Sequence, residues 1–147
     1  MSSRYNRLLV PVNGTPADQD VLHLVGDLVH RHPASITLIF VVEVQQSLPL
    51  DAELPDQIDR GEKILRVAED FARHRLGHKV DGVTTDLLQA RSAGSAIVDE
   101  AIERRADVIV LSAENRCKLG RTSLGETVAY ILKNAPCDVL VVRQAPV

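Results

Sequence analysis

Two stretches of this chain hold side chains that could do chemistry on a small molecule. The longer is Ser112-Ala113-Glu114-Asn115-Arg116-Cys117-Lys118-Leu119-Gly120-Arg121-Thr122-Ser123-Leu124-Gly125-Glu126. Arg116, Lys118 and Arg121 are possible anion contacts, because guanidinium and ammonium groups hold phosphates and carboxylates. The same charges also suit a loop that only faces water. The shorter stretch is Pro11-Val12-Asn13-Gly14-Thr15. It leaves an apolar run and enters a helix, so it offers backbone N–H groups at a positive helix end. Turns of this kind also occur without any ligand.

Other reactive residue types are present without a constellation around them. Cys117 lies between Arg116 and Lys118, surroundings that lower a thiol pKa. No resolving Cys or partner His is adjacent, which favours an incidental thiol. Cys137 precedes an apolar run and reads as a packing residue. His74 and His78 are four apart, and His23, His30 and His32 cluster. Neither set supplies a four-ligand shell, and Gly77 ends the helix between His74 and His78, so no metal site is assigned. Glu100, Glu103, Thr127 and Val128 read as helix face. No nucleophile elbow, Walker loop or paired-carboxylate site occurs, and no catalytic residue is assigned.

The elements that must position these loops alternate along the chain. Five short apolar runs, 8–12, 36–42, 83–88, 108–111 and 139–142, read as strands. The first, second, fourth and fifth are nearly continuous in apolar residues, as parallel strands covered on both faces are. The third mixes in polar residues, as an edge strand does. Four helical patterns lie between them. Thr15 is expected to cap the first, with Pro16 at its first position and Asp18 at its positive end. Val21, Leu22, Val25, Leu28 and Val29 form its apolar face. The second runs from about Ile58 to Leu76, with Ile64, Leu65, Ala68, Phe71 and Ala72 inward and Gly77 as an αL cap. The third starts near Ser92 and turns Ile97, Val98, Ala101 and Ile102 inward. The fourth follows Ser123, carries Leu124, Val128, Ile131 and Leu132, and stops near Asn134 before Pro136.

This order predicts an α/β fold: one open five-stranded parallel sheet, doubly wound by four helices, with strand order 3-2-1-4-5. One domain over residues 1–147 is expected. Ligands in such sheets bind beyond the strand carboxyl ends where strand order reverses, here between the first and fourth strands. The segment from Val44 to Asp56, with two prolines, is expected to be the most flexible.

The residues at the two ends of the chain carry a resemblance. Leu9-Val10-Pro11-Val12-Asn13-Gly14-Thr15 is similar to the first strand and turn of the universal stress proteins. Asp107 through Arg143 resembles their C-terminal signature, most closely in Leu132-Lys133-Asn134-Ala135-Pro136-Cys137-Asp138-Val139-Leu140-Val141-Val142-Arg143. The resemblance spans essentially the whole chain, with specific ends and a generic middle. It implies a Rossmann-like fold and a role in stress response. By resemblance, the nucleotide-binding positions are Pro11, Asn13, Val41, Ser112, Asn115, Gly125 and Glu126.

Family members that bind ATP carry G-x2-G-x9-G-[S/T] in the second loop, whose glycines admit the phosphates to the backbone. Here the four positions are Ser112, Asn115, Gly125 and Glu126, so one of them keeps the family residue. The Asp usual in the first turn is Asn13. Glu126 sets a carboxylate where a phosphate would sit, and two anions repel. Ser123-Leu124-Gly125-Glu126 reads S-x-x-E, a capping box that would fold Glu126 back onto the Ser123 N–H.

Composition narrows the function. The chain has 147 residues, a net charge of −3 and no Trp. A chain of this length buries roughly 70% of its unfolded surface and needs no disulfide or metal to fold. A mildly acidic, aromatic-poor chain argues against nucleic acid and anionic membrane as partners. No signal-peptide pattern or membrane span is apparent, and two cysteines read as free thiols, so a cytoplasmic location is expected. The leading reading is a non-catalytic regulatory module of the stress response that does not bind ATP and meets protein partners still to be identified. An ATP- or AMP-type nucleotide sensor with an atypical loop is the alternative, and an enzyme ranks last. Val139, Leu140, Val141 and Val142 would be an exposed apolar edge if unpaired, which predicts a homodimer through this last strand.

Overall fold

The computed structural model describes residues 5–29, 34–77, 80–113, 116–118, 121–123 and 125–143, with the backbone alone at 80–81, 116–118 and 121–123. The elements run β1 (Arg7–Pro11), α1 (Ala17–Leu28), β2 (Ala34–Glu43), α2 (Pro55–Leu76), β3 (Val80–Ala90), α3 (Ala93–Glu103), β4 (Val108–Ala113), β5 (Arg116–Lys118), β6 (Arg121–Ser123), α4 (Glu126–Asn134) and β7 (Asp138–Arg143). The main sheet is parallel and ordered β3-β2-β1-β4-β7, the 3-2-1-4-5 arrangement expected.

Apolar side chains on the two faces of the sheet form two cores. One joins Leu8, Val10, Ile36, Leu38 and Val110 to Val21, Leu22 and Val25 of α1 and Leu65, Ala68 and Ala72 of α2. The other joins Leu9, Ile39, Ile109 and Leu111 to Ile97, Val98 and Ala101 of α3 and Val128 and Ile131 of α4. This is why β1 and β4 read as unbroken apolar runs: alternate residues serve opposite cores.

At the amino ends of the strands, charged side chains fix the register. Asp107 Oδ2 accepts the N–H groups of Asn6 and Arg7, each at 2.8 Å, and Tyr5 donates to Asp138 Oδ2 at 2.8 Å. On the flank of β2 and β3, Arg104 binds Glu100 at 2.8 Å and Asp86 at 3.1 Å.

Several expectations need correction. The second helix starts at Pro55, three residues before Ile58, because proline at the first helical position is preorganised for it. Gly77 has the positive φ (49°) of a terminator, but its ψ of −124° is not that of an αL cap. Ile102 and Leu132, expected inward, are 56% and 53% exposed. Each follows a residue of the buried stripe, Ala101 and Ile131, and turns away from the sheet. In the segment 44–54, Gln89 Nε2 donates to the carbonyls of Leu50 (3.0 Å) and Ala52 (3.1 Å), and Arg91 to those of Val44 and Gln45. Arg116–Lys118 and Arg121–Ser123 are more than loop, since they form strands β5 and β6 that pair antiparallel.

Candidate functional site

The chain order β1–α1 and β4–α4 brings two loops to the carboxyl edge of adjacent central strands. The first loop is built around one side chain, Asp18. Its carboxylate accepts the N–H of Gly14 at 2.8 Å and that of Asn13 at 3.1 and 3.3 Å. Asp18 is only 8% exposed. Burial pushes its carboxyl above the ordinary aspartate value, and the two donated N–H groups only partly oppose this.

Asn13 continues the network. Its Oδ1 accepts the Thr15 N–H at 3.0 Å and the Thr15 hydroxyl at 2.7 Å. Its Nδ2 then donates across the gap to Ser112 Oγ on β4 at 3.4 Å. The orientation of the carboxamide follows from its neighbours: an N–H from Thr15 requires an oxygen opposite it. Thr15 is therefore no helix cap. The residue before α1 is Pro16, itself in helical conformation, and the Thr15 hydroxyl points back to Asn13. Gly14 has φ +84°, and a Cβ there would lie 2.7 Å from Ile64 of α2. Only glycine fits this backbone and this approach.

The second loop delivers Ser112, half-buried within β4, and Gly125 with φ +85° in front of α4. Glu126 is the exposed first residue of α4. The capping box is thereby corrected. A box needs the acid at the third helical position behind a capping Ser, whereas Ser123 ends β6 and the residue before the helix is Gly125. Glu126 still sits at the positive end of the helix, where a carboxylate is favoured. Asn115 lies outside the described residues, as do the side chains of Arg116, Cys117, Lys118 and Arg121.

Pro11 and Val41 are half-buried near the carboxyl ends of β1 and β2, Pro11 paired with Ile39 and Val41 with Leu88. The structure therefore brings Asn13 and Ser112 into contact and sets Pro11 on the strand that leads into Asn13. Sequence reasoning missed the part Asp18 plays. The signal was an Asn-Gly turn followed four residues later by an acid, whose side chain reaches back to the turn.

The other described candidates lie apart from the Asn13–Ser112 contact. His23 meets Phe71 edge-on at 5.4 Å and lies beside Arg75. His30, His32 and His78 are outside the described residues. Among the described residues no three His, Cys, Asp or Glu form a group that could hold a metal. Cys137 is half-buried, and burial raises its thiol pKa. Val139, Leu140, Val141 and Val142 are half-buried on β7, which pairs with β4 at the sheet edge. No helix among the described residues is long and apolar enough to cross a membrane.

Fold and site together define a doubly wound α/β protein with a polar cluster, Asn13 and Ser112, at the strand-order reversal. Residues 4–143 match the model of the universal stress protein family, and the chain belongs to that family. It is 26% identical over 146 residues to universal stress protein MJ0531 of Methanocaldococcus jannaschii, covering 95% of this chain and 83% of that one. It is 26% identical to the solved universal stress protein UspA from Lactobacillus plantarum, with TM-score 0.67 and coverage of 97% and 100%. The universal stress protein from Archaeoglobus fulgidus in complex with dAMP shares the fold at 16% identity, with TM-score 0.70 and coverage of 93% and 97%.

Proposed function

We propose that this stress-response module is non-catalytic and that its Asn13–Ser112 site does not hold the triphosphate of ATP. One observation carries the reading: α1 and α4, the helices that follow the central strands β1 and β4, each have a carboxylate in the first turn. Asp18 takes the amides of Asn13 and Gly14, and Glu126 begins α4. A triphosphate would meet fixed negative charge at both positive helix ends. The module acts as a homodimer through β7, an argument that rests on the apolar residues at that sheet edge.

A second reading is favoured by the Asn13–Ser112 contact and by the positive-φ backbone of Gly125. These groups leave polar contacts and bare backbone for a smaller adenine nucleotide, and the Archaeoglobus relative was solved with dAMP. Titration calorimetry with Mg-ATP and with AMP separates the two. No heat with ATP is expected, and a micromolar ATP affinity would overturn the first reading. Sedimentation equilibrium is expected to give a dimer at tens of micromolar, and a monomer there would sink the β7 assembly.

A further inference from the structure

The amino ends of the strands hold a second group of polar side chains, a strand's length from Asn13 and Ser112. Arg7 begins β1 and pairs with Ser35 of β2, and Thr37 of β2 lies between Leu9 of β1 and Thr84 of β3. Partners in register share a face of the sheet. Arg7, Ser35, Thr37 and Thr84 therefore look the same way as Leu9 and Ile39, toward the core that α3 and α4 cover. With Arg104 and Ala106, just beyond the end of α3, they line a cleft of about 340 Å³. Thr37 forms part of its floor and is only 8% exposed.

The hydrogen bonds here leave a ligand donors of one kind. Arg104 donates to Glu100 at 2.8 Å, to Asp86 at 3.1 Å and to the Thr37 hydroxyl at 3.4 Å. Thr37 and Thr84 Oγ1 are 3.1 Å apart, and Thr84 Oγ1 donates to the Ile36 carbonyl at 3.4 Å. The bonds thus run from Arg104 through Thr37 and Thr84 to Ile36, and both threonine protons are used. A guanidinium has five N–H groups and no acceptor, so Arg104 keeps N–H groups without a partner among the described residues. The Arg7 guanidinium is exposed and pairs with no carboxylate among the described residues. Guanidinium N–H calls for an oxygen acceptor, and a carboxylate matches its edge with two parallel bonds.

Charge decides how much anion fits. Glu100 and Asp86 bind Arg104, and Asp107 accepts the backbone N–H groups of Asn6 and Arg7. The carboxylates around the two guanidiniums leave no excess positive charge. A doubly charged anion therefore gains nothing over a singly charged one, which is held by directional N–H bonds. We propose that this cleft binds a small organic monocarboxylate, its carboxylate on the N–H groups of Arg7 and Arg104 and its body over Ser35, Thr84 and Ala106. The cleft is separate from the Asn13–Ser112 contact, and its ligand is independent of any nucleotide there.

The test records 15N–1H spectra of the whole chain titrated with butyrate, with its uncharged isostere butyramide and with inorganic phosphate. Ionic strength is held constant with chloride at about pH 8, where phosphate is doubly charged. Butyrate is expected to shift the Ser35, Thr37 and Thr84 amides saturably, with a Kd of about 1–10 mM, and to leave the Asn13 and Ser112 amides in place. Butyramide and phosphate should each bind at least about fivefold more weakly. Arg7→Gln removes an exposed side chain and keeps the backbone N–H on Asp107. It should weaken butyrate about fivefold, the worth of a charge-assisted hydrogen bond in contact with water. Arg66→Gln, the same charge loss on an exposed position of α2, should leave butyrate within about twofold. No saturable shift by about 100 mM butyrate, or shifts confined to Asn13 and Ser112, would overturn the site. Butyramide or phosphate binding as tightly as butyrate would overturn the monocarboxylate assignment, and equal effects of Arg7→Gln and Arg66→Gln would overturn the part given to Arg7.

Discussion

At the residue scale, Asp18 is a carboxylate buried in the turn that precedes α1. Its carboxyl is lifted above the ordinary 3.8 chiefly by burial. The folded chain therefore keeps this proton to higher pH than the unfolded chain does. Between 3.8 and the folded value, the contribution of this group to stability falls as pH rises, and below 3.8 it is fully present. Wild-type protein should accordingly gain stability relative to Asp18→Asn as pH is lowered through that interval. Urea unfolding of both proteins at pH 7 and near pH 4 measures this, and an unchanged difference would refute it. Gly14→Ala should cost about 2 kcal/mol through positive-φ strain and the contact with Ile64. Adding Ile64→Ala should relieve the contact and leave the strain. Little of this was legible in the sequence. A helix-start pattern marks Asp18 as favourable to the helix dipole, but not that its side chain reaches back to residues 13 and 14.

At the element scale, hydrophobic pattern carried the five main strands and four helices, because strands buried on both faces leave unbroken apolar runs in the sequence. The pattern failed where that logic has no purchase. Arg116–Lys118 and Arg121–Ser123 are short, polar and paired only with each other, so neither period nor burial reveals them. It also failed at the margins of helical stripes, since an apolar residue one step from the buried face reads as part of it. Ile131 and Leu132 test this directly. Ile131 is fully buried and Leu132 is 53% exposed. Ile131→Ala should cost about 2–5 kcal/mol by leaving a cavity, and Leu132→Ala about 0.5 kcal/mol or less. Thermal or urea unfolding of the two variants gives the comparison, and similar losses would contradict the placement of α4.

At the scale of the whole molecule, strand order determines where the Asn13–Ser112 contact lies and when it can form. β1 is central, with β2 on one side and β4 on the other. The β2 partner comes early in the chain. The β4 partner comes roughly a hundred residues later: the Asp107 carboxylate that clasps the start of β1 is 100 positions beyond Arg7. During synthesis from the amino terminus, β1, α1, β2, α2 and β3 are complete by Ala90. At that stage one side of β1 is an open row of backbone donors and acceptors lined with leucine and valine, an edge that recruits foreign strands. A nascent chain thus passes through an adhesive stage that ends when β4 arrives. A fragment ending at Ala90 should pellet under conditions where the full chain stays dispersed, and equal dispersal of the two would disprove this. The strand at the centre of the finished sheet is thus, until β4 is made, an open edge of the growing chain.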